Sequence, residues 1–190
     1  MKTITKTVYE FDELSAKAKE RARDWFREFA LDYEWWDHVY DDAKEALAGC
    51  GFTIDQIYFS GFSSQGDGAC FEGRWKATDY KTGATLAYAP NDRALGQIAI
   101  DAEKVAKVAA DITATIKHSG RYSHEYETVF DFDGANETQD DAVKEFSRDA
   151  MRWIYSQLQA QYEYLASNES VDESIIANGY TFTVDGKREG

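Results

Sequence analysis

Two short segments concentrate the side chains that could do chemistry. The first, Ser63-Ser-Gln-Gly-Asp-Gly68, sets hydroxyls, an amide, a carboxylate and two glycines between apolar, aromatic flanks that read as strands. Glycines let a backbone curl its N–H groups toward an anion, which makes Ser63, Ser64, Gln65 and Asp67 a candidate binding loop. It is not a phosphate loop. Lysine is absent, the following segment is strand rather than helix, and Asp67 would repel a phosphate. Turn chemistry accounts for the same residue types, with Gly66 and Gly68 at positive φ and Ser64 or Asp67 bonding its own backbone.

The second segment, Lys117-His-Ser-Gly-Arg-Tyr-Ser-His124, holds two of the three histidines beside Arg121 and Tyr122. Histidine is both the usual general base and a common metal ligand, so His118 and His124 invite either use. They are not at the i, i+4 spacing of a helix-borne metal pair, and a third ligand such as Asp67 would have to come from another loop. No metal site and no cofactor are assigned; packing or surface histidines are the alternative use. An enzyme or small-ligand binder built from Ser64, Gln65, Asp67, His118, Arg121, Tyr122 and His124 requires both tips to lie at the same end of one sheet.

Nucleophilic catalysis has no signature, since the chain lacks a Gly-x-Ser-x-Gly elbow. Cys50 and Cys70 form no CxxC pair and have no histidine at finger spacing, which fits two small core residues in a reducing cytoplasm. A non-enzymatic protein with no catalytic residue is expected.

Charge bounds the partners. Thirty-five acids against 21 bases give a net charge of −14, which repels nucleic acid and anionic membrane at long range. Asp32 to Glu45 and Asp131 to Asp141 are acidic blocks around a mildly basic middle. Carboxylates spaced along helices can imitate the phosphates of DNA and occupy the basic cleft of a nucleic-acid-handling protein. Asp37, Asp41, Asp42, Asp131, Asp133, Glu137, Asp140 and Asp141 are therefore candidate partner contacts, with a solvated acidic surface as the plain alternative. The Trp35-Trp36 pair adds an aromatic candidate, because adjacent residues cannot both face inward from one helix.

These groups must be positioned by an α+β chain. At 190 residues, 43% hydrophobic and 15% aromatic, it can bury one good core, and residues 1–190 read as a single domain. The N-terminus lacks a signal-peptide core and no 18-residue apolar run occurs, so an intracellular protein is expected. Periodicity predicts helices near 13–30, 33–48, 92–109, 138–166 and 172–178. Strands are expected at 3–9, on both arms around 57–75, at 112–117 and 128–132, and at 180–184, with 79–91 a loop. The sum is one antiparallel sheet of about five or six strands with helices mainly on one face.

Three separated segments carry a family pattern: Val8-Tyr-Glu-Phe-Asp-Glu-Leu-Ser-Ala-Lys-Ala-Lys19, Ile57 to Gly73, and Ile175-Ile-Ala-Asn-Gly-Tyr-Thr-Phe-Thr-Val-Asp-Gly186. His118-Ser-Gly and Trp153-Ile-Tyr fit it too. In these the chain resembles a family of uncharacterised phage and prophage proteins, some labelled antitoxin-like. The resemblance implies a phage-encoded protein acting in the cytoplasm of the infected bacterium and carries over no catalytic residue. The expected function is an acidic accessory protein that binds and inhibits a host or rival protein, without direct nucleic-acid or membrane contact.

Overall fold

The computed structural model describes residues 6–134 and 136–189. It is α+β, with two antiparallel sheets rather than one. The chain gathers into two compact units, residues 36–159 and residues 1–35 with 160–190.

The larger unit is built on a four-stranded meander in the order β2-β3-β4-β5, where β2 is Cys50–Ser60, β3 Gly68–Tyr80, β4 Thr113–His118 and β5 Thr128–Asp133. Alternation decides its faces. Phe52, Ile57, Phe71, Trp75, Ala114 and Ile116 are buried on one side, while Thr53, Gln56, Arg74, Thr115 and Lys117 stand exposed on the other. The register steps by one residue between Ile54↔Gly73 and Gln56↔Glu72, so β2 carries a bulge at Asp55. Gly73 is required there, because a Cβ would run into the Thr53 carbonyl.

Within this unit, helices pack on the apolar face. α2 (Asp37–Ala48) packs on β2, and α4 (Arg93–Val108) packs on β3 and β2. From α5 (Glu137–Ala166), Phe146 stacks on Phe52 at 5.1 Å and meets Trp75 at 6.3 Å. The Trp75 indole N–H donates to the Cys50 carbonyl at 3.0 Å, which lets that side chain be fully buried without an orphaned donor. α5 starts with a reciprocal cap, Gln139 N–H on the Asn136 side chain and Asn136 N–H on the Gln139 side chain.

One helix escaped the sequence reading. The expected loop 79–91 contains α3, Ala84–Tyr88. Five residues are too few to show a period, and the segment is fixed instead by buried Thr85, whose hydroxyl donates to the Ala46 carbonyl at 2.9 Å.

The terminal strands do not extend the main sheet. In the smaller unit β1 (Tyr9–Glu10) pairs with β6 (Thr181–Phe182), which pairs with β7 (Arg188–Glu189). Residues 3–5 of the expected first strand lie outside the described residues, and the expected last strand shortens to two residues. Around this sheet, α1 (Ala16–Arg27) and α6 (Asn168–Ala177) bury Phe11, Ala18, Ala22, Phe26, Val171, Ile175 and Phe182 together. Arg23 clamps the two helices with paired 2.6 Å bonds to Asp172. α1 begins later than expected because Ser15 caps it, its side chain accepting the Ala18 N–H; residues 11–13 form a 3₁₀ turn closed by Glu13 on the Glu10 N–H.

Candidate functional site

The meander runs β2 and β4 toward one end of the sheet, so the two chemically loaded tips, 61–67 and 119–127, emerge there together. They touch. A Cβ on Gly66 would lie 3.0 Å from the Tyr122 ring, and one on Gly68 would collide with the Cβ and Cα of His124. Gly66 has the expected positive φ of 93°. Gly68 does not; its place in the sequence is explained by that close approach, while Gly61 at φ 43° is the second left-handed residue of the tip.

Inside each tip, Asp67, His118 and His124 each use a polar atom to hold the loop itself. Asp67 Oδ2 accepts the N–H groups of Ser63 at 2.8 Å and Ser64 at 2.6 Å. His118 donates from Nε2 to the Tyr122 carbonyl at 2.7 Å, and its ring lies 4.7 Å from that of Tyr58. His124 accepts the Tyr126 N–H on Nδ1 at 3.2 Å. Among the described residues, no three His, Cys, Asp or Glu side chains converge as a metal site. Ser63, Ser64, Gln65, Arg121 and Tyr122 remain exposed.

A supporting layer was not anticipated from sequence. Glu72 reaches under the second tip, accepting from Tyr58 Oη at 3.1 Å and from the His118 N–H at 3.2 Å. Arg152 of α5 holds Glu125 at 3.1 Å and the Tyr126 hydroxyl at 3.3 Å, and the Arg148 guanidinium covers the Tyr126 ring at 4.8 Å. One turn on, Tyr155 Oη donates to the Gly61 carbonyl at 3.3 Å while its ring packs on Phe62. Positions 148, 152 and 155 share a helix face, a spacing visible in the sequence, but what that face meets is set by topology. Burial opposes the charge on Arg152, yet the bonds to Glu145, Glu125 and Tyr126 outweigh it and raise its pKa. Removing the Asp67 carboxylate (Asp67→Ala) is expected to cost about 1 kcal/mol and to speed amide exchange at Ser63 and Ser64, read by hydrogen-exchange NMR.

Cys70 lies beneath the same end. Burial first, then the carboxylates of Glu72, Glu127 and Glu125, push its thiol from 9.0 up to about 12. The folded chain holds this proton more tightly than the unfolded one, so the contribution is complete below pH 9 and is lost as pH rises through about 12. We expect native Cys70 to resist iodoacetamide at roughly pH 8 and to react once guanidinium unfolds the chain, with Cys70→Ala raising the midpoint of alkaline denaturation.

The acidic candidates do not form one surface. Asp37, Asp41 and Asp42 are exposed on α2, at the β2 edge, and among the described residues none of them joins an ion pair; Asp42 accepts from the Tyr88 hydroxyl. Asp131 and Asp133 project from β5 at the opposite edge, with Glu137 exposed in the first turn of α5. Asp141 pairs with Lys144 at 3.7 Å, and Asp140 turns partly inward, its Oδ1 buried. Trp35, expected as a partner contact, is 5% exposed, and Trp36 is half-buried against Phe59.

Both tips, their supporting layer and the whole meander fall inside residues 35–168, the stretch matched by the model of a family described as a domain of unknown function, DUF8835. The chain belongs to the DUF8835 family. The DUF8835 match and the larger compact unit, residues 36–159, start within one residue of each other. No curated protein and no solved structure matches.

Proposed function

We propose that this protein is a non-catalytic binding protein that recognises another protein through the end of the sheet where the two tips join. One observation carries the reading. The groups that acid–base chemistry would need, Asp67, His118 and His124, are used to hold the tips in shape, whereas Ser63, Ser64, Gln65, Arg121 and Tyr122 are offered to solvent. Short polar side chains with Tyr and Arg on loops fixed by a rigid sheet are the composition of a recognition surface. The meeting of the tips also satisfies the geometric requirement of a small-ligand site, and the use of one nitrogen of each histidine to hold its own loop weighs against proton transfer there.

The resemblance to phage proteins supports a phage-encoded inhibitor of a host or rival protein. Net charge supports a basic target, approached under electrostatic steering to which the unpaired acids of α2 contribute. α2 enters at the tip end, since Phe59, next to the last residue of β2, meets both Trp36 and Tyr40.

Tagged protein, captured from the bacterial host at low and moderate salt, is expected to hold one stoichiometric partner. The double replacement Gln65→Ala/Arg121→Ala should weaken that complex by roughly tenfold or more without changing the melting temperature, as both side chains are exposed. Replacing Asp37, Asp41 and Asp42 with Asn should slow association and flatten its salt dependence. A complex unmoved by the tip replacements would overturn the reading.

A further inference from the structure

A groove of about 390 Å³ runs between α4 and α5, within the larger unit, and shares only Arg152 with the layer that supports the tips. Its volume lies in the range of small-molecule sites, about 300–1,000 Å³. Ile98, Phe146 and Trp153 form the floor, and Asp101 on α4 and Asp149 on α5 supply the carboxylates of the two walls.

The hydrogen-bonding capacity of this lining is one-sided. Arg152 has five N–H groups, and all five are used: Nε on Glu125, Nη1 on Glu145 and Asp149, Nη2 on Glu145 and the Tyr126 hydroxyl. The Trp153 indole N–H is taken by Asp92 Oδ2 at 2.9 Å, and the Ser156 hydroxyl by the Trp153 carbonyl at 2.7 Å. Gln97 gives an N–H to Asp101 at 2.9 Å. Acceptors remain. Asp149 Oδ2 has no hydrogen-bond partner among the described residues, and each Asp101 oxygen takes only one bond, from Gln97 or from Lys104. An anion would therefore find no free guanidinium, and a neutral acceptor almost no donor.

We infer that the α4–α5 groove binds a small organic cation with an apolar stem, a free primary amine or guanidinium compound. Its charged head would donate to Asp149 Oδ2 and Asp101, and its apolar stem would lie on the rings of Phe146 and Trp153. Asp101 stays ionised to accept it, since the bonds from Gln97 and Lys104 hold its carboxyl below the usual range.

The test is a ¹H–¹⁵N NMR titration of the full chain with agmatine, n-butylamine, n-butanol, butyrate and N-acetylarginine amide. Agmatine and butylamine should shift the Trp153 indole and Ala94 and Ser156 amide signals, with butanol about tenfold weaker and butyrate silent. Asp101→Asn and Asp149→Asn should each weaken the amines by roughly fivefold. Asp101→Asn is the cleaner variant, because Asp149 also holds Arg152. Equal binding of butanol and butylamine, shifts that map elsewhere, or no shifts at tens of millimolar would overturn the inference. Tighter binding of N-acetylarginine amide than of agmatine would overturn it in favour of a partner protein's side chain. The titrations of the parent chain and of Asp101→Asn leave the tips untouched, so failure there leaves the recognition reading standing, and the reverse.

Discussion

Replacing Gly68 with alanine is expected to lower stability by about 2–3 kcal/mol, or roughly 5–10 °C in melting temperature for a chain of this size. The added methyl would meet the Cα of His124 at 2.8 Å and its Cβ more closely still. Neither atom is the end of a flexible side chain, so relief requires the 119–127 loop to lift off β3. That loop is held by Arg152 and Arg148, so the strain passes into the supporting layer rather than vanishing into a rotamer change. His124→Ala should not rescue Gly68→Ala, because alanine keeps both colliding atoms. The same variant should lose partner capture if recognition uses the joined tips. Thermal melts of the single and double variants check the first claim, and a melting temperature within a degree of the parent would refute the close packing.

Asp92→Ala should cost about 2–4 kcal/mol, an unusually large effect for a residue only partly buried. Its carboxylate has two duties. Oδ1 accepts the Leu95 N–H at 2.9 Å and caps α4, while Oδ2 accepts the Trp153 indole N–H at 2.9 Å. Alanine leaves the first turn of α4 uncapped and strands a buried indole donor, two costs of about 1–2 kcal/mol each. Asn keeps the cap oxygen but turns an NH₂ toward the indole, and Ser caps without reaching it, so each should lose about half as much. Denaturant titration of the three variants should give that ladder. Asn and Ala falling together would mean that the indole bond alone matters.

Elements with a long period were legible in the sequence. α4 and α5 appear within a residue or so of their expected spans, because Leu95, Ile98 and Ala102, and Val143, Phe146, Ala150, Trp153 and Ile154, repeat at three and four over several turns. α3 and the separate three-stranded sheet were not legible, since two-residue strands and a five-residue helix are defined by their partners: Thr85 with Ala46, Tyr9 with Phe182. For the site, residue types pointed to both tips, and their union follows from the meander order. What composition could not supply was atom-level use. Asp67, His118 and His124 looked like free chemistry and turned out to brace loops, whereas Glu72, Arg148, Arg152 and Tyr155 lay in segments read for periodicity or family pattern and not for chemistry. Trp35 shows the same limit, because adjacency said that one tryptophan must leave the core without saying which.

β5 ends the larger sheet, and its outward side carries Val129, Asp131 and Asp133. An edge strand presents a row of unpaired amides and carbonyls to any other extended chain. A second β5 added antiparallel about Asp131 would bring two carboxylates face to face, with Asp133 of each copy beside Val129 of the other. Like charges in that register oppose edge-to-edge pairing, so Asp131 and Asp133 act as a fender that disfavours extension of the sheet by a second copy.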